Sequence, residues 1–564
     1  MRLNLVIGGA AGQGLKTLDS ILSKILFKMG FNLHSSKDYM SRIRGGHNFI
    51  KIRFDAQKEV LGPIVKEDIL LALNKETIKL HQDKIANQGL IIFNGEIEQE
   101  DIISIPAEKI AQEIGNKKVA NIVLLGYLLK LLGLDINPAK KILTDYFNDK
   151  QEKIKEYNLA ALNKGYQLGK SKFSFKLKEN LNQDKMLIDG NQAIGLGALL
   201  AGVKFYAAYP MTPSTSIMNY LAQKQQEAGI VVEQAEDEIA AINMAIGAFY
   251  SGARAMTGTS GGGFALMNEG LGLAGITETP LVVANVQRPG PATGLPTRTE
   301  QADLSFVINS SQGEFPLMVV APRDAKDCFR QAFKAFNLAE KYQIPVIILS
   351  DTFMADSKTN IEEIDPATLE IKRGLIKEQE AKKMGEYQRY KITDSGISPW
   401  AYPGQLNGEV VLADSDEHDE NGNIIEAADM RVKMVDKRAR KLAKLKEEDL
   451  AEPLYTGEDK PEYLLISWGS NYGPTQEAYQ LLKSEYNIAH LNFNHLWPLP
   501  TKTLESLASK DLTSVCIENN STAQLARLIK EEIAYKIDYN MLKYDGRPFS
   551  GVEIKQRFKT EVIK

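Results

Sequence analysis

Three short segments between residues 208 and 303 carry most of the information in this chain. They are Ala-Tyr-Pro-Met-Thr-Pro-Ser (208–214), Glu-Asp-Glu-Ile-Ala-Ala-Ile-Asn-Met-Ala-Ile-Gly-Ala (236–248) and Val-Gln-Arg-Pro-Gly-Pro (286–291). The first and third segments end apolar runs of strand length, and the second begins a helix. Repeated alternation of strands and helices predicts a doubly wound, largely parallel sheet. Ligands of such sheets bind beyond the carboxyl ends of the strands, where we expect the arginine of the third segment to lie.

The overall composition is that of a multidomain globular protein. A chain of 564 residues is too long for one core and predicts three or four units of ordinary size. Hydrophobic residues make up 43% and charged residues 25%, so a large core is available. The formal net charge is −4, from 68 basic and 72 acidic residues, so no global field favours nucleic acid or an anionic membrane.

Cysteine usage and apolar runs indicate a cytoplasmic protein. Cys328 and Cys516 are the only cysteines and form no Cys-x-x-Cys pair, which fits a reducing compartment and excludes an iron–sulfur cluster bound by this chain alone. The most apolar run, Ala120 to Leu134, is interrupted by Lys130 and is shorter than the roughly 20 residues of a spanning helix. The first strand-like run ends in glycines rather than in a signal cleavage site.

Residues 1–175 form the first predicted α/β domain. A strand at Leu3–Ile7, a glycine loop at Gly8–Gly14 and a helix at Leu15–Met29 begin a parallel sheet. Further strands are predicted at 68–73 and 89–93, with helices at 102–114 and 121–132. The polar stretch 150–185 is predicted to be an exposed connector.

Three more regions follow. Residues 186–359 predict a second α/β domain, with a helix after Asp189 and strands at 204–208, 280–285, 316–320 and 345–349. Residues 360–460 contain an acidic turn at 414–423 and a basic stretch at 431–446, which predicts a solvated helix. Residues 461–564 predict a third α/β unit with strands at 463–467, 488–492 and 514–517, ending near Ile537. The fold class is α/β, with several doubly wound, mostly parallel domains.

Two loops in the first domain are candidate anion sites. The glycine loop, with Gly12 and Gly14, lies between a strand and a helix, where backbone amides and the helix dipole hold phosphate. Tight packing of strand on helix would require the same glycines, so both interpretations stay open. The loop 41–48 places Arg42 and Arg44 beside flexible backbone, an arrangement suited to a polyphosphate or a carboxylate.

The second domain holds the candidate catalytic groups. Thr212 is fixed between two prolines, so its hydroxyl would point in one direction, and a plain turn after a strand is the alternative. Glu238 begins a helix whose apolar face is predicted to contain Ile239, Ile242, Ala245 and Ile246. The three acids at this helix start either serve the helix dipole or include a functional carboxyl. Arg288 follows a strand and would pair with a carboxylate. Arg298 would meet substrate or a partner, or would form a surface ion pair with Glu300.

These segments resemble, in order and spacing, the thiamine-pyrophosphate half-site of the α subunit of 2-oxoacid:ferredoxin oxidoreductases. Residues 1–175 resemble the γ subunit or domain of the same enzymes. A linker motif at 417–422 follows, and three C-terminal motifs resemble the family's second α domain, which is similar to the C-terminal domain of transketolase: Asn471–Gly473, Trp497–Pro500 and Glu518–Asn520. The resemblance therefore covers nearly the whole chain.

The resemblance also implies roles for single residues. It assigns Glu238 to N1′ of the thiamine aminopyrimidine, a contact that favours the imino tautomer needed to deprotonate C2. It assigns Thr212 and Arg288 to the substrate. Further cofactor contacts are implied for four residues of the second domain: Tyr209, Pro210, Thr259 and Ser260. Coenzyme A binding is implied for the two glycine and arginine loops, through Gly12, Gly14, Arg42 and Arg44.

The implied function is oxidative decarboxylation of a 2-oxo acid, with 2-oxoglutarate as the first expectation, to acyl-coenzyme A and CO2, with electrons passed to ferredoxin. The Gly-Asp-Gly…Asn motif for diphosphate and Mg²⁺ and the cysteines for a [4Fe-4S] cluster are absent, and in this family both belong to a β subunit. No metal site is expected here, and the assembly is expected to be a dimer of α–β pairs. Pyruvate, branched-chain or indole 2-oxo acids, either reaction direction, and a non-catalytic nucleotide-binding assembly protein remain alternatives.

Overall fold

The computed structural model describes residues 2–40, 46–177, 182, 184–381, 386–406, 408–508 and 512–563. The chain forms two compact units. Unit 1 comprises Met1–Ile188 and Asp356–Glu363, and unit 2 comprises Asp189–Ala355 and Ile364–Lys564.

The strands in chain order are β1 (Arg2–Ala10), β2 (Asn32–Asp38), β3 (His47–Asp55), β4 (Glu67–Ala72), β5 (Ile85–Asn94), β6 (Ile102–Ile105), β7 (Lys185–Asp189), β8 (Phe205–Ala208), β9 (Val231–Gln234), β10 (Ala255–Thr259), β11 (Leu281–Gln287), β12 (Met318–Val320), β13 (Pro345–Asp351), β14 (Lys358–Glu362), β15 (Leu454–Thr456), β16 (Tyr463–Trp468), β17 (Ile488–Phe493), β18 (His495–Trp497), β19 (Thr513–Glu518) and β20 (Tyr539–Leu542).

The helices are α1 (Leu15–Lys28), α2 (Lys75–His81), α3 (Ala107–Ile114), α4 (Ala120–Leu131), α5 (Ile136–Tyr146), α6 (Glu152–Leu168), α7 (Gly190–Leu200), α8 (Thr215–Ala228), α9 (Glu238–Tyr250), α10 (Gly261–Leu266), α11 (Asn268–Ile276), α12 (Leu304–Ile308), α13 (Ala325–Tyr342), α14 (Thr352–Asp356), α15 (Glu378–Ala381), α16 (Ala428–Glu448), α17 (Tyr472–Leu482), α18 (Lys502–Ala508), α19 (Gln524–Ile533) and α20 (Gly551–Arg557).

The sheet of unit 1 has the strand order β6-β5-β4-β1-β3-β2-β14-β7. The predicted parallel arrangement holds for β1, β4, β5 and β6. Strands β3, β2 and β14 are antiparallel, so this sheet is mixed. The sequence reasoning missed β3, although Ile50, Ile52 and Phe54 alternate with polar residues at the period of a half-buried strand. The predicted domain boundary at Thr359 falls inside β14.

Several local predictions in unit 1 were wrong. Strand β1 continues through Gly8 and Gly9 to Ala10, so the loop is shorter than predicted. Residues 102–105 are strand β6 rather than the start of a helix. The predicted connector contains α6, which packs closely on α4: a Cβ atom on Gly165 would lie 1.9 Å from the carbonyl oxygen of Val123. Glycine permits this close helix crossing, and the buried contact makes α6 part of the core.

The first sheet of unit 2 has the order β18-β12-β13-β11-β10-β8-β9. All its neighbouring strands from β12 to β9 are parallel, as predicted, and β18 is an antiparallel edge strand. Strands β9 and β10 were not predicted, because one is short and largely exposed and the other contains small and polar residues. Strand β9 lies on one side of β8 and β10 on the other, so the direction of winding changes between β8 and β10.

The second sheet of unit 2 has the order β15-β17-β16-β19-β20, with β17, β16, β19 and β20 parallel. The three predicted C-terminal strands correspond to β16, β17 and β19. The predicted end near Ile537 was too early, because β20 and α20 follow and pack on this unit. The division of the residues of unit 2 into pyrimidine-binding, linker and C-terminal domains stays a prediction.

Helix α16 is the predicted basic helix, but it is not simply solvated. Lys437 and Lys441 are fully buried, and both ammonium groups contact the buried carboxylate of Glu278. The opposite charge of Glu278 makes burial of these lysines tolerable, and this pairing was invisible in the sequence because the partner lies far away along the chain. No helix in the described ranges is long and apolar enough to cross a membrane.

Candidate functional site

Most of the predicted site residues of unit 2 meet at one edge of the first sheet of that unit. Tyr209–Thr212 follow β8, Glu238 follows β9, Ser260 follows β10 and Arg288 follows β11. These strands are parallel neighbours, so their carboxyl ends lie side by side. The change of winding between β8 and β10 places a crevice at this edge, where ligands of such sheets bind.

Glu238 is the buried carboxyl of this edge. Its neighbour Asp237 caps helix α9 by accepting a hydrogen bond from the amide of Ala240 at 2.7 Å, so Glu238 is not needed for capping. Glu238 is only 3% exposed, and its Oε1 has no hydrogen-bond partner within the described residues. Burial, with a smaller contribution from Asp237, raises the pKa of Glu238. A buried polar atom without a partner is costly and indicates a contact made by a ligand.

The buried face of α9 differs from the predicted one. Ile239 was expected to belong to the apolar face that includes Ile242, yet Ile239 is 50% exposed while Ile242 is fully buried. Met244 and Gly247 are also exposed, so an outer apolar strip of the helix remains uncovered in the single chain.

Helix α10 approaches Glu238 closely at a glycine. A Cβ atom on Gly263 would lie 2.4 Å from Glu238 Oε1 and 2.1 Å from Thr259 Oγ1. Thr259 and Ser260 are fully buried, and the Ser260 hydroxyl has no partner among the described residues. The helix predicted after this loop is divided at Met267 into the short α10 and α11. The orphaned Glu238 oxygen fits a contact with a polar ring atom of a bound ligand, and the missing side chain at Gly263 lets helix α10 pack directly against this carboxyl.

Arg288 and Thr212 are in contact. The Arg288 guanidinium donates a hydrogen bond from Nη1 to the backbone carbonyl oxygen of Thr212 at 2.7 Å. Thr212 therefore contacts the arginine through its main chain, and the contact of its hydroxyl with substrate stays a prediction. Burial lowers the pKa of Arg288, and the nearby Asp303 opposes this effect. Tyr209 is exposed and Pro210 is half-buried, and both lie just beyond the carboxyl end of β8.

Asp303 joins this group, although the sequence reasoning did not select it. Its Oδ2 accepts a hydrogen bond from Asn285 Nδ2 at 3.2 Å, and its amide donates to Gln287 Oε1 at 2.9 Å. A Cβ atom on Gly261 would lie 2.7 Å from the same Oδ2. Burial raises the pKa of Asp303 to about 6, although Asn285 and Arg288 both lower it. The only sequence signal was an acid in the segment that also contains Arg298 and Glu300.

Arg298 lies against the segment after β20, where a Cβ atom on Gly546 would be 3.1 Å from Arg298 Cβ. The amide of Thr299 donates to the carbonyl oxygen of Gly546 at 3.3 Å. Burial and Asp303 raise the pKa of Glu300 to about 7. The substrate, partner and ion-pair interpretations of Arg298 all remain predictions.

Gln301 connects the two sheets of unit 2. Its side chain donates to the carbonyl oxygen of Trp468 at 3.0 Å and accepts from Asn471 Nδ2 at 2.7 Å and from the Asn519 amide at 3.2 Å. Glu518 is likewise saturated, and accepts from the indole of Trp468 and from the backbone of α19. These contacts support a structural role for the C-terminal loops.

The glycine loop of unit 1 is a tight turn. Gly12 and Gly14 have φ angles of 89° and 75°, which only glycine adopts readily. The Gln13 side chain accepts from the Ala10 amide at 2.6 Å and from Asn74 Nδ2 at 3.1 Å. Turn geometry thus explains the glycines, and the coenzyme A role stays a prediction. Arg42 and Arg44 lie outside the described residues.

Comparisons with known proteins identify the family of this chain. The family model described as "Pyruvate flavodoxin/ferredoxin oxidoreductase, thiamine diP-bdg" matches residues 196–437, and "Pyruvate ferredoxin/flavodoxin oxidoreductase" matches residues 4–168. The 2-oxoacid:ferredoxin oxidoreductase subunit alpha of a Sulfolobus species is 33% identical, over 100% of this chain and 97% of that protein. The 2-oxoglutarate oxidoreductase subunit KorA of Mycobacterium tuberculosis is 29% identical, over 98% of this chain and 90% of that protein.

A solved structure agrees over the full length as well. The 2-oxoglutarate:ferredoxin oxidoreductase of Magnetococcus marinus, with 2-oxoglutarate, coenzyme A and succinyl-CoA bound, is 32% identical with a TM-score of 0.92, and covers 99% of both chains. The fold is that of this oxidoreductase, and residues 196–437 match a thiamine-diphosphate-binding domain. The chain belongs to the 2-oxoacid:ferredoxin oxidoreductase family, as an α subunit with a γ-like region at its N-terminus.

Proposed function

We propose that this α subunit works in the oxidative decarboxylation of 2-oxoglutarate to an acyl-coenzyme A, with electrons leaving through a separate β subunit to ferredoxin. The orphaned, buried Glu238 oxygen beside Gly263 is the observation that carries the thiamine-dependent chemistry. The names of the KorA relatives and the ligands of the Magnetococcus marinus structure support 2-oxoglutarate as the substrate. Pyruvate, branched-chain and indole 2-oxo acids are the alternatives to be tested.

Thiamine diphosphate, held at its aminopyrimidine by Glu238, would supply a nucleophilic carbon and an electron sink for the decarboxylation of a 2-oxo acid. The contribution of Glu238 is to hold a proton at Oε1. Burial raises the pKa of Glu238 and so favours its protonated form, and the buried carboxyl would present this proton to a ring nitrogen of a bound cofactor. The carboxyl therefore biases the aminopyrimidine towards the tautomer that acts as a base.

Arg288 binds the carboxylate of the 2-oxo acid. A guanidinium carries five N–H donors, and the contact with the Thr212 carbonyl uses one of them to fix its orientation. Other donors are available for a bidentate, charge-assisted pair with the substrate. Orientation before binding lowers the entropy lost when the pair forms.

The second chain would cover the exposed strip of α9. Ile239, Met244 and Gly247 are exposed on the outside of this helix, where another chain would approach closely. The β subunit would bring the [4Fe-4S] cluster, because such a cluster is held by four thiolates and this chain has two cysteines, Cys328 and Cys516. It would also bring the diphosphate site and Mg²⁺, because this chain lacks the Gly-Asp-Gly…Asn motif. The complete enzyme would be a cytoplasmic dimer of α–β pairs. In unit 1, the glycine turn at Gly12 and Gly14 would bind coenzyme A together with Arg42 and Arg44.

Replacement of Glu238 tests the assignment. In the complex with its β subunit, Glu238→Gln keeps the shape of the side chain and removes the acid. We expect hydrogen–deuterium exchange at C2 of the bound cofactor to slow by about 10²–10⁴-fold, the usual contribution of a positioned acid or base. Glu236→Gln is the control, because Glu236 is exposed at the same helix start. Unchanged exchange in Glu238→Gln would contradict the proposal and favour a non-catalytic binding protein.

The isolated chain gives a second test. Without its partner it should show no iron–sulfur absorption, no oxidation of 2-oxo acids and only weak binding of thiamine diphosphate. Co-expression with the β subunit should give iron–sulfur absorption, oxidation of 2-oxo acids and tight binding of thiamine diphosphate. A panel of 2-oxo acids then identifies the substrate. An iron–sulfur absorption band from the isolated chain would contradict the assignment of the cluster to the β subunit.

A further inference from the structure

Three buried side chains of unit 1 form a chain of hydrogen bonds that the proposed chemistry does not use. Glu67 begins β4, His81 ends α2 and His47 begins β3. His81 Nδ1 lies 2.7 Å from Glu67 Oε1, and His81 Nε2 lies 2.9 Å from His47 Nε2. Glu67 and His81 are 1% exposed, and His47 is 8% exposed. The hydrogen bonds therefore run through the protein interior from Glu67 to His47.

The ring of His47 lies beside the glycine turn. His47 pairs with Ala10, the last residue of β1, so the ring belongs to the edge of the sheet where the turn begins. A Cβ atom on Gly8 would lie 2.9 Å from His47 Cε1, so the missing side chain lets the ring pack directly on β1. Phe49 stacks on the same ring, with centroids 5.3 Å apart. These contacts fix the plane of the ring and with it the directions of both nitrogens.

The carboxylate of Glu67 decides which nitrogen of each ring carries a proton. A carboxylate only accepts hydrogen bonds, so His81 donates to it from Nδ1. A neutral imidazole has one N–H group, so His81 Nε2 is an acceptor, and His47 donates to it from Nε2. The Nδ1 atom of His47 is then left without a proton and is itself an acceptor.

This acceptor lacks a donor. His47 Nδ1 is buried and has no hydrogen-bond partner among the described residues. Thr77 also faces Gly8, but its hydroxyl donates to Asn74 Oδ1 at 2.9 Å and so does not serve His47. A buried acceptor without a donor is costly and indicates a hydrogen bond made by a ligand.

The charges around His47 favour a neutral ring and a neutral ligand atom. Burial, followed by the neighbouring His81, lowers the pKa of His47, so the ring is neutral near pH 7. Glu76 and Asp38 oppose this shift, and Lys84 adds to it. Two carboxylates thus act on the ring against one ammonium group, which disfavours a phosphate at Nδ1 but not an uncharged N–H or O–H donor.

We propose that His47 Nδ1 accepts a hydrogen bond from an uncharged donor on the nucleoside part of coenzyme A, and that His81 and Glu67 are positioning residues that keep this nitrogen free of a proton. The inference rests on the proposed binding of coenzyme A at the glycine turn. Both the pyrophosphate and the 3′-phosphate of coenzyme A are attached to its ribose, so a phosphate at the turn brings the nucleoside beside His47. The nucleoside offers two such donors, the N6 amine of adenine and the 2′-hydroxyl of ribose.

Nitrogen-15 NMR of the histidine rings tests the proton positions in the wild-type protein. This chain has six histidines, so ring-labelled histidine in this chain alone gives few signals in the α–β complex, and His47→Gln assigns those of His47. We expect His47 Nδ1 to show the chemical shift of an unprotonated ring nitrogen, and this shift to change when coenzyme A is added. A protonated Nδ1, or an unchanged shift while coenzyme A binds, would overturn the inference.

The variant Glu67→Gln tests the positioning role. An amide donates as well as accepts, so it no longer dictates which His81 nitrogen carries the proton. We expect part of the His47 population to carry its proton on Nδ1, and the dissociation constant of coenzyme A to rise by roughly 2- to 10-fold. Glu76→Gln removes an exposed charge near His47 without breaking the chain of hydrogen bonds, and should leave both unchanged. Wild-type ring shifts and affinity in Glu67→Gln would contradict the positioning role.

Analogues of coenzyme A identify the donor. The wild-type complex is titrated with coenzyme A, with an analogue in which hypoxanthine replaces adenine and removes the N6 amine, and with an analogue that contains 2′-deoxyribose. The analogue without the donor should bind roughly 5- to 150-fold more weakly, because it leaves the buried His47 Nδ1 without a partner. Equal affinities for all three compounds would overturn the inference. If coenzyme A itself does not bind the wild-type complex, the proposed coenzyme A site fails, and the inference fails with it.

Discussion

Gly263→Ala should inactivate the enzyme by moving Glu238, and the effect follows from distances alone. The added Cβ atom would lie 2.4 Å from Glu238 Oε1 and 2.1 Å from Thr259 Oγ1, where ordinary contact begins at 3.4 Å. Both neighbours are buried, and the β-branched Thr259 has few alternative rotamers. Because the Glu238 side chain is longer than that of Thr259, we expect the Glu238 carboxyl to move, by about 1 Å.

The expected cost falls on activity more than on stability. A misplacement of about 1 Å costs about 10²-fold in rate. Overpacking costs about 1–3 kcal/mol of folding free energy, and alanine recovers about 1 kcal/mol over glycine inside a helix. We therefore expect turnover of the α–β complex to fall by about two orders of magnitude, with only a modest change in melting temperature.

The neighbouring glycine provides a matched control. Gly262 is exposed, and the nearest atom to a Cβ added there lies 3.8 Å away. Gly262→Ala should therefore retain turnover and cofactor binding. Turnover, C2 exchange of the bound cofactor and thermal unfolding are measured for both variants. Equal turnover in Gly263→Ala and Gly262→Ala would refute the idea that this glycine protects the position of Glu238.

Three further outcomes are expected. Arg288→Ala should raise the Michaelis constant for the 2-oxo acid by roughly 10- to 150-fold, the equivalent of a charge-assisted contact of about 1.5–3 kcal/mol, and unchanged steady-state kinetics would place the pocket elsewhere. Thr212→Val should have a smaller effect in the same assay, because the contact with Arg288 uses the backbone oxygen. Glu278→Ala should lower the free energy of unfolding by about 3–5 kcal/mol in urea titrations, because two lysines stay buried without their counter-ion; Lys433→Ala, on the exposed face of the same helix, should be nearly neutral.

Periodic, locally determined features were predictable. Apolar runs and glycine positions within short stretches of sequence predict the first strand and helix of unit 1, helix α9 and strands β11, β13 and β16. The family also follows from the order of the motifs. Elements with weak local signals were missed, namely β9 and β10, because their place in the sheet comes from neighbouring strands rather than from their own residues.

The sequence by itself determined which chemical groups are present: a carboxyl at the start of an apolar helix, an arginine after a strand, and glycines between them. Only the tertiary structure decided their states. It left Glu238 buried without a partner, gave the capping role to Asp237, and aimed Arg288 at the Thr212 backbone. It also brought Asp303 to the site and buried Lys437 against Glu278. The physical reason is that burial, hydrogen bonding and charge compensation depend on residues far apart in the chain, and local sequence does not contain those distances.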